Sequence, residues 1–293
     1  MAQTLHQYKS QQEKLTEKRL AIASYPKDLM IVAEGDSWFD YPFKKDVLDY
    51  LVGMGFAIKK LAKAGDTLEN MVYGNDYRKI PNDPVNITHP GPLSLQETLS
   101  AIRKYQPKFV LLSAGGNDIL GSELISFLHH KNSGSQNLLN MTILDEKLAQ
   151  MQEAIEFFIK AVHRTHPNCH ILMDGYDYPK INGKGYTFIF RNIKGPWIQP
   201  AMGAKAITDP MDQHAITTIL VDRFNDMLMQ VATAFPYFHY INLRGKFPND
   251  NQWDNEIHLK NSGYKEVATI YKQTIDQILG MDTLKTYAHN IVV

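Results

Sequence analysis

The chain alternates short apolar runs with longer segments in which apolar residues recur every three or four positions. The short runs occupy positions 28–34, 56–62, 108–114, 170–175 and 238–243, and each contains a β-branched residue, Ile or Val. Runs of this length and composition are typical of strands that are buried on both faces. The pattern therefore predicts about five interior strands.

Three longer segments carry a single apolar face at helical spacing. Their apolar positions are Leu144, Leu148, Met151, Ile155, Phe158 and Val162; Leu220, Phe224, Met227 and Val231; and Tyr264, Val267, Tyr271, Ile275 and Ile278. Helices that alternate with buried strands indicate βα units on a parallel sheet. In such sheets a ligand binds beyond the carboxyl ends of the strands.

Charge and composition exclude several classes of partner. The 31 Lys and Arg residues equal the 31 Asp and Glu residues, so no overall positive field favours nucleic acid. No apolar stretch approaches the roughly 18 residues of a transmembrane helix, and the polar start does not resemble a Sec signal. The single cysteine, Cys169, cannot form an intramolecular disulfide. We expect a cytoplasmic protein with no nucleic-acid partner; its oligomeric state stays open.

Polar and small residues follow the predicted strands. Ser37 comes after the first run, Gly65 after the second and Asn117 after the third, while His258 precedes the last helix. Three of these residues have a structural alternative, because Ser37 or Asn117 could cap a helix and Gly65 could serve a turn. The carboxyl ends of parallel strands meet at one edge of a sheet, so the pattern also predicts a shared site.

These four segments, in this order, resemble the SGNH or GDSL-like serine hydrolases, which include esterases and lipases. Gly35-Asp36-Ser37-Trp38 is similar to the serine block, Gly65 to the glycine block and Gly115-Gly116-Asn117-Asp118 to the Gly-x-Asn-Asp block. His258 is similar to the histidine of the last block. The resemblance extends over about residues 28–280. Together with the strand pattern, it implies a three-layer α/β/α fold of the flavodoxin-like kind, with about five parallel strands.

The resemblance also implies a role for each residue. Ser37 would be the nucleophile, with His258 as the base that accepts its proton. The oxyanion that forms would receive hydrogen bonds from the backbone N–H of Ser37, the backbone N–H of Gly65 and the side-chain amide of Asn117.

The last block departs from the family pattern. There an Asp usually lies three residues before the His and orients its ring. Here position 255 is Asn, and the nearest acid is Asp254, four residues before His258. We predict that Asp254 orients His258 if the segment coils, with Asn255 as the competing partner.

A second group of potential ligands lies in "HRTHPNCH", where His163, His166, Cys169 and His170 could suggest zinc. However, the two histidines of the helix lie on its polar side, Pro167 ends that helix, and the following residues open a strand. We therefore expect no metal and no cofactor.

The domain organisation predicted from the sequence is a helical extension over residues 1–25 followed by a hydrolase domain over 26–293. Two segments, about 74–92 and 176–210, contain many turn formers and are interpreted as insertions. The second is rich in aromatic residues, which favours a lid or an acyl-binding wall; a subunit contact is the alternative.

The predicted function is hydrolysis of a carboxylic ester through an acyl-enzyme, with a small-molecule, lipid or sugar ester as substrate. A thioesterase, a carbohydrate deacetylase or a phospholipase-like acyl hydrolase would use the same residues. A catalytically weak ligand-binding module is the alternative from another class, and the Asn at position 255 is its motivation.

Overall fold

The computed structural model describes residues 30–42, 44–74, 94–188 and 191–292. Its strands are β1 (Ile31–Gly35), β2 (Ile58–Lys60), β3 (Phe109–Ser113), β4 (His170–Asp174), β5 (Tyr186–Phe188), β6 (Arg191–Lys194) and β7 (Phe238–Ile241). Five of them form one parallel sheet in the order β2-β1-β3-β4-β7, and β5 and β6 form a separate antiparallel pair. The prediction of about five parallel strands is confirmed, and the order is the flavodoxin-like one.

Helices cover both faces of the sheet. They are α1 (Val47–Gly53), α2 (Leu68–Tyr73), α3 (Ser94–Tyr105), α4 (Gly116–Ile119), α5 (Met141–Thr165), α6 (Ile198–Ala204), α7 (Pro210–Ala234) and α8 (Asn261–Val292). In the described ranges, 3₁₀ turns occur at Ser122–Phe127 and Asp250–Gln252. Helix α1 packs against α8, whereas α5 packs against α2, α3 and α7. The result is the predicted three-layer arrangement.

The core lies between the sheet and these two helical layers. Strands β1, β3 and β4 are buried along their whole length, which explains why their sequences are apolar without alternation. The three predicted helical faces fall on α5, α7 and α8, and every apolar residue assigned to them is buried. The helical periodicity therefore identified the faces correctly.

The ends of β1 and β3 place two polar loops side by side. Gly35 at the end of β1 pairs with Ser113 at the end of β3. A Cβ on Gly35 would lie only 2.8 Å from the carbonyl oxygen of Ser113, so only glycine allows this approach. The loops that follow Gly35 and Ser113 contain Ser37 and Asn117, and they leave the same edge of the sheet.

Parts of the predicted domain organisation lie outside the described residues, namely the extension over 1–25 and nearly all of the insertion at 74–92. The insertion at 176–210 contains the β5–β6 hairpin and helix α6. None of the helices in the described ranges is both long and apolar enough to cross a membrane.

Candidate active site

A tight turn after β1 presents Ser37. The backbone N–H groups of Phe39 and Asp40 both donate to the carbonyl of Asp36, at 3.1 and 3.0 Å. The Asp36 carboxyl group accepts hydrogen bonds from the Trp38 N–H at 2.9 Å and the Tyr176 hydroxyl at 2.7 Å. Its pKa is raised to about 7, chiefly by burial. Asp36 therefore holds the serine turn, and the cap of the following helix is a different residue, Asp46.

The histidine lies on a second tight turn, between the 3₁₀ turn at Asp250–Gln252 and helix α8. The backbone N–H of Asp254 donates to the carbonyl of His258 at 2.8 Å, and Trp253 and Leu259 form an antiparallel bridge. The indole N–H of Trp38 donates to the carbonyl of Ile257 at 3.1 Å. This last bond ties the histidine turn to the serine turn.

The two turns bring Ser37, His258 and Asn255 into contact. Ser37 Oγ lies 2.8 Å from His258 Nε2, and Asn255 Oδ1 lies 2.9 Å from His258 Nδ1. Both ring nitrogens therefore have a side-chain partner, and His258 is 3% exposed.

The neighbouring hydrogen bonds determine where the imidazole proton resides. Asn255 Oδ1 also accepts the backbone N–H groups of Ile257 and His258, at 3.2 and 3.0 Å, which identifies this atom as the amide oxygen. An amide oxygen only accepts, so Nδ1 of His258 carries the proton. Nε2 then has a lone pair for the Ser37 hydroxyl hydrogen, as general-base chemistry requires.

The structure does not bring the Asp254 carboxylate to His258, contrary to our expectation. The segment does not coil as a helix; it reverses direction, and the Asp254 side chain turns away from the ring. Asp254 Oδ2 instead accepts the Tyr41 hydroxyl at 2.6 Å and pairs with Lys44 Nζ at 2.5 Å. The competing residue, Asn255, occupies the position next to the ring.

Gly65 and Asn117, the predicted oxyanion donors, lie in the segments that follow β2 and β3. Gly65 follows β2 in a turn at φ +81°, a conformation that favours glycine. Asn117, in α4, donates through Nδ2 to the carbonyl of Asp66 at 2.8 Å, which ties the two loops together. A side-chain amide carries two hydrogens, so this bond leaves one N–H for another acceptor. Asn117 and Ser37 line the same cleft.

Burial and nearby charged groups together shift the pKa of His258. The pKa of His258 is lowered to about 3, chiefly because the ring is buried; Asp254 raises it, and Lys44 and Lys194 lower it further. The Lys194 ammonium lies 2.8 Å from the point where a Cβ on Gly65 would stand. His258 is consequently a neutral base at neutral pH, and the imidazolium formed during a reaction would need support.

The sequence reasoning did not predict that two aromatic residues contact the His258 ring. The Tyr41 ring stacks on the His258 ring, with centroids 4.5 Å apart and an interplanar angle of 16°. Trp197, from the insertion at 176–210, meets the same ring edge-on at 5.2 Å. No local motif marked these positions, because each reaches His258 from a distant part of the chain.

The insertion at 176–210 forms part of the site. Residues of several elements line the cleft beside Ser37, among them Trp38, Leu120, Tyr176, Pro179, Trp253 and Ile257. Tyr176 and Pro179 belong to the insertion, so it contributes a wall to the cleft. The lining is largely apolar and aromatic, which suits an uncharged organic group.

Within the described ranges, no three His, Cys, Asp or Glu side chains are grouped in a way that could hold a metal ion. Two residues of the histidine-rich segment have other surroundings. Cys169 is buried, and His170 Nδ1 lies 2.9 Å from His239 Nε2 on the neighbouring strand.

Comparison with solved structures identifies the fold. The chain is similar to the lipase Lip_vut3 from a goat rumen metagenome, with a TM-score of 0.52, 14% identity and coverage of 84% of this chain and 96% of that chain. It is also similar to a family 3 carbohydrate esterase of Clostridium thermocellum (TM-score 0.45, 15% identity, 86% and 98% coverage). Phospholipase A1 of Streptomyces albidoflavus NA297 gives a TM-score of 0.48, 12% identity and 83% and 98% coverage.

The likeness to Lip_vut3 shows a shared fold, and the three-layer α/β/α architecture with five parallel strands predicted from the sequence is confirmed. No protein-family model and no curated protein sequence matches the chain.

Proposed function

We propose that this protein is a serine hydrolase that cleaves a carboxylic ester through an acyl-enzyme. The observation that carries the proposal is the Ser37–His258–Asn255 chain, with hydrogen-bond distances of 2.8 and 2.9 Å. A serine hydroxyl that donates a hydrogen bond to the unprotonated nitrogen of a neutral imidazole is an activated nucleophile.

The reaction has two halves. Ser37 Oγ attacks the ester carbonyl carbon while its proton passes to Nε2 of His258, and the carbonyl oxygen becomes an oxyanion. The oxyanion receives hydrogen bonds from the N–H groups of Ser37, Gly65 and Asn117. His258 then gives its proton to the departing alkoxide. In the second half, water attacks the acyl carbon of the acyl-enzyme while His258 takes its proton. His258 then returns this proton to Ser37 Oγ as the ester bond breaks, which releases the carboxylic acid and free Ser37.

The cleft supports an ester with an apolar group near the reacting carbon, because aromatic and aliphatic side chains line it. Lip_vut3, which shares the fold, is a lipase. Thioesters, acetylated sugars and phospholipid acyl chains present the same acyl carbon, and a substrate panel distinguishes them. The neutral Asn255 is the feature that favours the alternative of a weakly active binding module.

Labelling with a fluorophosphonate, which modifies activated serines, tests the proposal. We expect wild-type protein to be labelled and to hydrolyse p-nitrophenyl acetate. Ser37→Ala should abolish labelling and lower kcat by at least about 10⁴-fold, because the nucleophile is lost. Ser126→Ala, at an exposed serine, is the control and should behave as wild type. Folded wild type that is neither labelled nor active would instead support the binding module.

A further inference from the structure

Asp254 is connected to His258 through two intermediate side chains. Its Oδ2 accepts a hydrogen bond from the Tyr41 hydroxyl at 2.6 Å. The Tyr41 oxygen in turn accepts one from Asn255 Nδ2 at 3.1 Å, and Asn255 Oδ1 lies 2.9 Å from His258 Nδ1. These four residues form a continuous chain of hydrogen bonds, which we call the Asp254 relay.

Each hydrogen bond in the Asp254 relay has one direction only. Two backbone N–H groups, from Ile257 and His258, fix the orientation of the Asn255 amide, so its nitrogen faces Tyr41. An ionised carboxylate only accepts, so the Tyr41 proton lies toward Asp254. The lone pairs of the Tyr41 oxygen are then available to Asn255.

Asp254 is negatively charged in this setting. Burial raises the pKa of its carboxyl group, but hydrogen bonds from Lys44 and Tyr41 and the Lys44 charge outweigh burial, and the pKa is lowered overall. The charged side chains that act on His258 are Asp254 and Lys44 from one side and Lys194 from the β5–β6 hairpin. Asp254 is the carboxylate among them that favours an imidazolium.

Tyr41 couples the charge to the ring in a second way. Its ring stacks on His258, and its hydroxyl lies between Asn255 and Asp254. Tyr41 is 4% exposed and Asn255 is fully buried, so the local dielectric constant is low. Hydrogen bonds in series strengthen one another in such surroundings.

We propose that Asp254 is a positioning residue that acts on His258 through Tyr41 and Asn255, in place of a carboxylate in direct contact with the ring. The inference rests on the proposed function. By drawing the Tyr41 proton toward itself, the Asp254 charge polarises the Asn255 amide and makes Oδ1 a stronger acceptor for Nδ1–H. This acceptor strength matters most when His258 holds the proton of Ser37 as an imidazolium.

Two substitutions interrupt the relay at different points. Tyr41→Phe removes the hydroxyl and keeps the stacked ring, whereas Asp254→Asn removes the charge and keeps an acceptor. We expect each to lower kcat about tenfold and to change KM less than about twofold, because the relay acts in the transition state. The double variant should be no slower than the slower single variant, since both interrupt one chain. Asp212→Asn, in the surface ion pair with Lys131, is the control and should leave kcat unchanged.

The pH profile separates an electrostatic role from a structural one. Removing the Asp254 charge disfavours the imidazolium, so the acid limb of kcat/KM should move to lower pH in Asp254→Asn. Lys44 and Lys194, which also act on the ring, are unchanged in this variant. A merely structural role for Asp254 would lower activity without moving this limb.

A swap of the two side chains provides a sharper test. In the variant Asp254→Asn/Asn255→Asp, a carboxylate would accept Nδ1–H directly, and Tyr41 could donate to it. Asn255→Asp alone would place two carboxylates against one hydroxyl, which can donate to only one of them. We expect Asn255→Asp to raise kcat at least about tenfold in the Asp254→Asn background and much less in the wild-type background. Equal effects in both backgrounds would overturn the relay.

The test also separates this inference from the proposed function. Wild type that is labelled at Ser37, but whose kcat and acid limb are unaffected by Tyr41→Phe and Asp254→Asn, would overturn the relay alone. Wild type that shows neither labelling nor hydrolysis would overturn the proposed function and the relay with it.

Discussion

Asn255 combines two functions at the residue scale that are usually served by different groups. Its amide oxygen closes the histidine turn by accepting two backbone N–H groups, and it also accepts Nδ1–H of His258. The oxygen of a neutral amide can accept Nδ1–H, but it stabilises an imidazolium less than a carboxylate does.

Asn117 is the side chain that the proposed function assigns as a donor to the oxyanion. If its second N–H bonds the oxyanion, Asn117→Ala should lower kcat by about 10²–10³-fold with little change in KM, because the charge exists mainly in the transition state. Steady-state kinetics on p-nitrophenyl acetate measures both constants.

Circular dichroism should accompany this measurement, because Asn117 also bonds the Asp66 carbonyl. An unchanged kcat in a folded Asn117→Ala variant would show that Asn117 serves only to connect two loops through the Asp66 carbonyl. An effect on KM alone would place it in substrate binding.

At the scale of elements, Glu256 joins the insertion to the histidine turn. Its carboxylate accepts the backbone N–H groups of Trp197, Ile198 and Gln199 at 2.6, 2.7 and 3.1 Å. Its backbone carbonyl also accepts the N–H of Lys180 at 2.9 Å. The insertion is thus bonded directly to the segment that holds His258, and Trp197 contacts the His258 ring as a consequence.

Glu256→Gln tests this connection. The amide can accept at only one atom, so at least one of the three N–H groups loses its partner, and a charged acceptor is lost. We expect the free energy of unfolding to fall by about 2–4 kcal/mol. Urea unfolding measures it, and Glu266→Gln at an exposed site on α8 is the control, with the same change of charge and little effect. Equal stabilities of the two variants would show that the insertion is held by other contacts.

On the scale of the whole molecule, several acids are buried beneath the site. Burial raises the pKa of Glu34 to about 8 and the pKa values of Asp36 and Asp174 to about 7. Each group keeps its proton in the folded protein over a pH range in which the unfolded chain releases it. Each therefore makes the protein less stable as pH rises through that range. His258 has the opposite effect. Below its ordinary pKa of 6.5, the ring binds a proton in the unfolded chain but stays neutral when buried, so this group makes the protein less stable as pH falls.

Glu34→Gln isolates one of these contributions. Glu34 bonds the Thr98 hydroxyl at 2.9 Å and the Gly35 N–H at 3.0 Å, and glutamine can make both contacts without ionising. Between the ordinary pKa of 4.5 and the raised value of about 8, the free energy of unfolding of wild type should fall more steeply with pH than that of the variant. The difference in slope should reach up to about 1.4 kcal/mol per pH unit. Urea unfolding at pH 5, 6, 7 and 8 gives the two curves.

Below pH 4.5 the curves of wild type and Glu34→Gln should run parallel, because Glu34 is then protonated in both the folded and the unfolded state. Parallel curves over the whole range would mean that Glu34 is ionised in the folded protein.

The sequence by itself determined the sheet, the helical faces and the loops at the strand ends. Continuous apolar runs report strands buried on both faces, and a period near 3.6 reports a helix, so both patterns are local. The order of Ser37, Gly65, Asn117 and His258 along the chain placed them at one edge for the same reason, because parallel strands align their carboxyl ends.

Only the tertiary structure decided which side chains meet at that edge. Asp254 and Asn255 are neighbours in sequence, and the direction of each depends on the backbone reversal closed by the Asp254 N–H and the His258 carbonyl. Tyr41 and Trp197 reach His258 across large sequence separations. Periodicity carries no information about such contacts, because they depend on backbone torsions in turns and on packing between distant elements.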